Sequence, residues 1–228
     1  KELLPLVDTP LIYHIIWESI RAGVSKINFV VSPEKLDLFR KLVEGHSEIS
    51  EIRPDLSSWH LKPIPDEVDV IIHVQNNPLG VGDAIKIGCK EIDGPFLVLL
   101  GDNAFFQEVP DFHQLGPESA SQCSKILVEH HLRNGEIPCV GVFDVEKEKI
   151  GNYGAVVSDK GKLISVTEKP SDWQHPESKV ICGRYIFPTD SFQILEELSD
   201  VEDYEFLSIH FLNELAAKLK VELVDISS

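Results

Sequence analysis

The chain has no methionine and only four cysteines in 228 residues. Cys89, Cys123, Cys139 and Cys182 form no C-x-x-C pair and show no metal-like spacing. They are read as buried thiols in a reducing, cytoplasmic setting, not as a disulfide framework or a zinc site. Positive charge is also scarce: 21 Lys and Arg face 38 Asp and Glu, a formal net charge of −17 at pH 7. That charge repels nucleic-acid phosphates and anionic lipid, so a nucleic-acid or membrane-surface binder is excluded. Any polyanionic ligand must be met locally, by a few lysines, backbone N–H groups or a bound cation. The longest apolar runs, such as Phe96-Leu97-Val98-Leu99-Leu100, are far too short to span a bilayer. The nine histidines include no H-E-x-x-H pattern. With no G-x-S-x-G elbow and no Walker A loop either, hydrolase and P-loop readings are weakened.

What remains is an ordinary globular composition, 43% apolar and 26% charged. A chain of this length makes one large domain and needs no disulfide or structural metal to fold. Thr9-Pro10 reads as a helix start, with Leu11, Ile12, Ile15, Ile16 and Ile20 as one apolar stripe and Gly23 as the stop. Ile27 to Val31 reads as a buried strand. Ser32-Pro33 opens a second helix with Leu36, Phe39, Leu42 and Val43 on one face, ending at Gly45. His46 to Pro65 has three prolines and no period, which predicts a long surface excursion. A strand over Val70–Val74, a helix from Val81 to Glu91 and a strand over Phe96–Leu100 follow. Alternation of this kind argues an open parallel sheet with helices on both faces. Beyond Gly101, strand-like segments dominate: Ile126–Glu129, Cys139–Phe143, Ala155–Val157, Leu163–Thr167 and Ile181–Phe187, with Asp159-Lys160-Gly161-Lys162 as a hairpin turn. Helices over Ser191–Leu198 and Phe206–Leu219 and a strand over Val221–Val224 complete the expectation.

Three stretches could carry chemistry. Leu100-Gly101-Asp102-Asn103 follows an apolar strand, where an Asp is well placed to hold a hard cation; the same pair equally makes a simple turn or helix cap. Gln75-Asn76-Asn77-Pro78-Leu79-Gly80-Val81-Gly82 joins a strand to a helix. Its glycines allow close approach of a flat ligand, and the glutamine amide suits the edge of a pyrimidine, while a ligand-free Pro-Gly turn is the plainer alternative. Tyr153-Gly154 is followed past the hairpin by Glu168-Lys169-Pro170. There a carboxylate can accept from sugar hydroxyls and an ammonium can meet a phosphate, or both simply face solvent.

Taken in order and spacing, these segments resemble the sugar-phosphate nucleotidyltransferases. Lys1-Glu2-Leu3-Leu4-Pro5 is similar to the stretch after that family's Gly-rich signature loop. Gln75…Pro78-Leu79-Gly80, Leu100-Gly101-Asp102-Asn103, Asn152-Tyr153-Gly154, Glu168-Lys169-Pro170 and Gly183-Arg184-Tyr185 then follow in the family's order. The likeness is greatest to glucose-1-phosphate uridylyl- and thymidylyltransferases. It implies an α/β, Rossmann-like nucleotide-diphospho-sugar transferase fold, with a central mixed, mostly parallel sheet flanked by helices. It also implies one domain over residues 1–228, with nucleotide bound by the 1–103 half and sugar phosphate by the 104–228 half.

The implied reaction is Mg²⁺-dependent transfer from UTP or dTTP to a sugar 1-phosphate, glucose 1-phosphate foremost. Guanylyl transfer to mannose 1-phosphate and a non-catalytic nucleotide-sugar-binding homologue are the alternatives. By resemblance, Gln75, Pro78 and Gly80 bind nucleotide, and Asp102 holds the metal against its α-phosphate. Asn103, Tyr153, Gly154, Glu168, Lys169, Gly183 and Tyr185 line the sugar site, with Lys169 on the sugar's phosphate and Lys1 on the triphosphate. Relatives assemble as oligomers, and the same is expected here. Two departures stand out. The signature loop would precede Lys1, so the chain is expected to be trimmed at both ends. Ser208 aligns where thymidylyltransferase relatives place a second metal-binding aspartate.

Overall fold

The apolar stripe from Leu11 to Ile20 forms a helix, and it lies in the first of two compact units. In the computed structural model these are Lys1–Pro78 with Leu100–Lys125, and Leu79–Leu99 with Ile126–Ser228. The structure describes residues 1–6, 9–106, 116–199 and 208–227.

In the first unit, β1 (Pro5–Leu6) and β2 (Thr9–Pro10) pair antiparallel and lead into α1 (Leu11–Arg21). Thr9 is not the cap that the sequence predicts. Pro10 takes the N-cap position, and the Thr9 hydroxyl lies 3.2 Å from Nε2 of His60. The orphan donors at the helix start are met by backbone: Leu11 N–H donates to the Leu4 carbonyl at 3.0 Å, and Ile12 N–H to that of Glu2 at 2.8 Å. From Ile12 to Ser19 every residue of α1 is buried, so the helix is covered on all sides. That burial includes Glu18, whose carboxylate accepts from the Ser124 N–H at 3.2 Å and its hydroxyl at 2.5 Å. A buried charge requires such donors.

β3 (Lys26–Val31) is followed by α2 (Leu36–Glu44), α3 (Ser58–Leu61) and β4 (Asp69–Val74), and β4 pairs parallel with β3. Phe39 of α2 meets Phe29 of β3 edge-on at 5.2 Å. The expected surface excursion from His46 to Pro65 has structure of its own. It contains a 3₁₀ turn (Ser47–Glu51) and α3. Its return is pinned where His46 N–H donates to the Leu61 carbonyl at 2.7 Å, and Ile64 is buried. Absence of periodicity misled here because α3, at four residues, is too short to display one.

The second unit holds α4 (Val81–Cys89), β5 (Phe96–Leu99), most of α5 (Cys123–Arg133), β6 (Cys139–Asp144), β7 (Gly154–Asp159), β8 (Lys162–Glu168), β9 (Lys179–Phe187), α6 (Ser191–Ser199), α7 (Ser208–Lys218) and β10 (Glu222–Asp225). Ile126–Glu129, read as strand-like, lies inside α5. Leu127 and His131, four residues apart, are both fully buried, which is helical spacing. A four-residue aliphatic run looks the same in either element.

One six-stranded sheet runs β5-β9-β6-β10-β8-β7. It is mixed, as the fold class requires, but the expected parallel majority is not found among its described strands. β6 with β10 pairs parallel, whereas β5–β9, β9–β6, β10–β8, β8–β7 and β9–β7 are antiparallel. The nine-residue β9 decides this, running antiparallel to three neighbours. α4, α6 and α7 contribute Ile85, Leu195, Phe211 and Leu215 to a core shared with Val140, Val166, Tyr185 and Phe187.

Candidate functional site

The β7–β8 hairpin brings the third sequence stretch together. Gly154 stands opposite Glu168 in the ladder, and the next residue, Lys169, donates its N–H to the Tyr153 carbonyl at 2.9 Å. Residues from both arms of the hairpin therefore share one strand end. Lys169 turns the chain with φ +41°, a left-handed conformation unusual for a residue with a side chain. Its ammonium lies 3.5 Å from the Glu168 carboxylate, with both side chains exposed. An exposed pair of that kind holds its partners weakly, so a ligand can displace it at small cost. Tyr153 rests edge-on against Phe143 at 5.9 Å. Just past Lys169, Pro170 enters an open cleft of about 390 Å³ whose walls include Lys147, Gly151, Ser171, Asp172 and Trp173.

Gly183 sits where β9 changes neighbours. Val180 pairs with Ala155 of β7, whereas Arg184 to Phe187 pair with β5. Opposite β6 the register jumps between Val140↔Tyr185 and Val142↔Ile181, and Gly183 takes φ +73° in this bulge. Bulges re-aim strands in this way, and a residue without Cβ accommodates the turn at no steric cost. Tyr185, expected beside Gly183 in the sugar site, is 1% exposed. Its ring stacks on Phe187 at 5.9 Å within the core.

The nucleotide residues fall mainly in the first unit. Gln75 follows β4 and donates its N–H to the Val31 carbonyl at 2.9 Å, and Pro78 is exposed. Gly80, in the second unit, is the N-cap of α4 at φ +93°. Asp102 lies three residues beyond β5 in a turn closed by Asn103 N–H to the Leu100 carbonyl at 3.3 Å, and both side chains are exposed. The turn reading of this motif is thus present, and it leaves the Asp102 carboxylate facing solvent. Lys1 is exposed. Its neighbour Glu2 pairs with Lys35 at 2.7 Å.

Among the described residues, no group of three or more His, Cys, Asp or Glu could hold a metal by itself. A lone exposed carboxylate fits Mg²⁺ all the same, because that ion keeps several waters and takes its other oxygens from substrate phosphates. Ser208 opens α7, and its side chain lies outside what the structure describes. The four cysteines are buried thiols in no disulfide, and burial pushes those of Cys89 and Cys139 up to about 12, too high for either to serve as a nucleophile at neutral pH. No helix among the described residues is long and apolar enough to cross a membrane. Sequence reasoning missed Asn213 of α7, whose amide bonds both backbone groups of Val166 in β8. One asparagine among several polar residues of a helix carries no signal that points to a strand.

Comparison with known proteins shows the family and the fold. A family model described as nucleotidyl transferase matches residues 1–224. A UTP–glucose-1-phosphate uridylyltransferase of Bacillus subtilis (strain 168) is 31% identical over 211 residues, covering 86% of this chain and 66% of the relative. A protein of the same description from Streptococcus pyogenes is 29% identical over 212 residues, covering 86% and 64%. The chain thus spans just under two thirds of the length of these curated relatives. Among solved structures, a UDP-glucose pyrophosphorylase complexed with UDP-glucose superposes over 99% of this chain and 81% of its own, with a TM-score of 0.76 at 22% identity. The shared fold is the Rossmann-like nucleotide-diphospho-sugar transferase fold.

Proposed function

The chain belongs to the nucleotidyl transferase family, and on that premise we propose that it transfers a uridylyl group from UTP to glucose 1-phosphate, giving UDP-glucose and pyrophosphate, with Mg²⁺ as cofactor. The observation that carries the reading is the strand end where Gly154 faces Glu168 and Lys169 follows at once. A hydroxyl acceptor, a phosphate partner and a position without a side chain stand together there, as a sugar phosphate requires. The description of the curated relatives as UTP–glucose-1-phosphate uridylyltransferases supports uracil and glucose as the base and sugar.

The chemistry needs little beyond placement. A phosphate oxygen of the sugar phosphate attacks the α-phosphorus of UTP, the bond to the β-phosphate oxygen breaks, and pyrophosphate leaves. The nucleophile is already ionised, so no general base and no covalent enzyme intermediate are needed. The barrier comes largely from bringing two polyanions together on a protein of net charge −17. Lys169 would meet the sugar's phosphate, and Glu168 would accept from its hydroxyls beside Gly154 and Tyr153. Gln75 would read the pyrimidine edge, with Pro78 and the Gly80 backbone alongside, while Lys1 would contact the triphosphate. Asp102 would hold Mg²⁺, which when bound neutralises charge on the phosphoryl oxygens. Alignment of two bound reactants is worth roughly 7–11 kcal/mol, which makes positioning the main contribution asked of the protein.

The test is pyrophosphate release with glucose 1-phosphate and Mg²⁺, comparing UTP, dTTP, GTP, ATP and CTP, with EDTA as the blank. Fastest metal-dependent release with UTP is expected. Release with GTP and mannose 1-phosphate alone would replace the substrate assignment, and silence with every nucleotide would overturn the enzymatic reading in favour of a binding homologue.

A further inference from the structure

The β8 strand keeps β7 on one edge to Glu168 but loses β10 from the other edge well before it. β10 bonds β8 only at the start: Leu163 N–H donates to the Val221 carbonyl at 2.9 Å, and Leu223 N–H donates to the Gly161 carbonyl at 2.8 Å. Between Leu163 and Ser165 the register with β7 slips, since Leu163 faces Ser158 while Ser165 faces Val157, so Ile164 is one residue too many. Beyond that bulge the edge that β10 no longer covers is taken by a side chain. Asn213 accepts from the Val166 N–H at 2.7 Å and donates to the Val166 carbonyl at 2.9 Å. The amide of Asn213 thus does what a neighbouring strand would do, for one residue.

We propose that Asn213 is a positioning residue for the sugar-phosphate half of the site, clamping β8 just downstream of its bulge. This rests on the reading given above for Glu168 and Lys169. A bulge leaves one residue unpaired and disrupts the ladder locally, and a shift of one residue sends every following side chain to the opposite face. β10 holds the upstream side and Asn213 the downstream side. Val166 is two residues from Glu168 and three from Lys169, so the clamp steadies, from the edge opposite β7, the strand end that carries those two groups. It acts through the β8 backbone at Val166.

Two variants test the assignment. Asn213→Leu keeps the branching at Cγ and removes both bonds, whereas Asn213→Asp keeps the acceptor for the Val166 N–H and loses the donor. The Leu variant should raise KM for glucose 1-phosphate about tenfold and lower kcat, with KM for UTP within about twofold of wild type, because small misplacement of a binding group costs rate steeply. The Asp variant should fall between. Equal shifts in both KM values, or no shift in either, would overturn the proposal. Amide hydrogen exchange is read in parallel and needs no turnover. Residues 166–169 should exchange at least about tenfold faster in Asn213→Leu while the Leu163 amide stays protected. If the wild-type protein is silent toward all nucleotides, the reading of the site fails on its own. Exchange then decides the clamp: unchanged protection at 166–169 overturns it.

Discussion

Gly154 and Ile181 approach so closely that a Cβ on Gly154 would lie 2.8 Å from the Ile181 Cδ1 and 2.9 Å from its Cγ1, with Ile209 Cδ1 at 3.1 Å. The strand position facing Glu168 is therefore kept bare by packing from beneath as well as by any ligand above. Gly154→Ala should destabilise the protein by about 1–3 kcal/mol, the usual cost of overpacking a filled core. Urea unfolding measures it, and KM for glucose 1-phosphate should rise in step as the strand shifts. An unchanged midpoint would show that the two isoleucines move aside freely.

Asp102 faces solvent in its turn, so Asp102→Asn should change stability by less than about 0.5 kcal/mol. Activity should nonetheless fall at least about a hundredfold, with a higher Mg²⁺ requirement, since the amide lacks the charge that a hard cation seeks. A variant at wild-type rate would remove Asp102 from the metal site.

Lys169 combines a charge with an unusual backbone angle, and two substitutions separate them. Lys169→Ala should raise KM for glucose 1-phosphate and lower kcat. Lys169→Gly should do the same but unfold at a higher urea concentration than the Ala variant, because only glycine takes φ +41° without strain. If both variants affect UTP affinity alone, the phosphate contact lies elsewhere.

Glu222 predicts a pH effect. Hydrogen bonds from Lys220 and then His130 hold its carboxyl below the usual carboxylate range, with distances of 2.5 Å and 2.7 Å. A folded-state value lowered from the ordinary 4.5 means the stabilisation is complete above that value and is lost as pH falls through the lower, folded one. Glu222→Gln should thus be weaker than wild type by about 1 kcal/mol at pH 7, with the gap closing below pH 4. Urea midpoints at pH 7, 5 and 3.5 measure the slope, and a gap that widens on acidification would contradict it.

Much of the architecture could be read along the chain because it depends on local rules. The stripe of α1, the stops at Gly23 and Gly45, the hairpin at Lys160-Gly161 and the apolar β5 each follow from periodicity or from a φ that glycine alone adopts readily. Where two local structures suit the same residues, the sequence misled. Ile126–Glu129 fits a strand until the burial of Leu127 and His131 shows a helical face. Thr9 fits a cap until its hydroxyl is found at His60, 51 residues away.

The sequence by itself determined which chemical groups are available and in what order: Asp102 after an apolar strand, the Glu168–Lys169 pair, and a formal net charge of −17. Order along the chain survives folding, so family resemblance could be read from it. Only the tertiary structure decided which of those groups share a strand end, that Tyr185 serves the core, and that Asn213 holds β8. Those facts depend on register and on contacts between residues far apart in sequence. One residue of strand slip would reverse the faces, and no local pattern records whether a slip has been prevented.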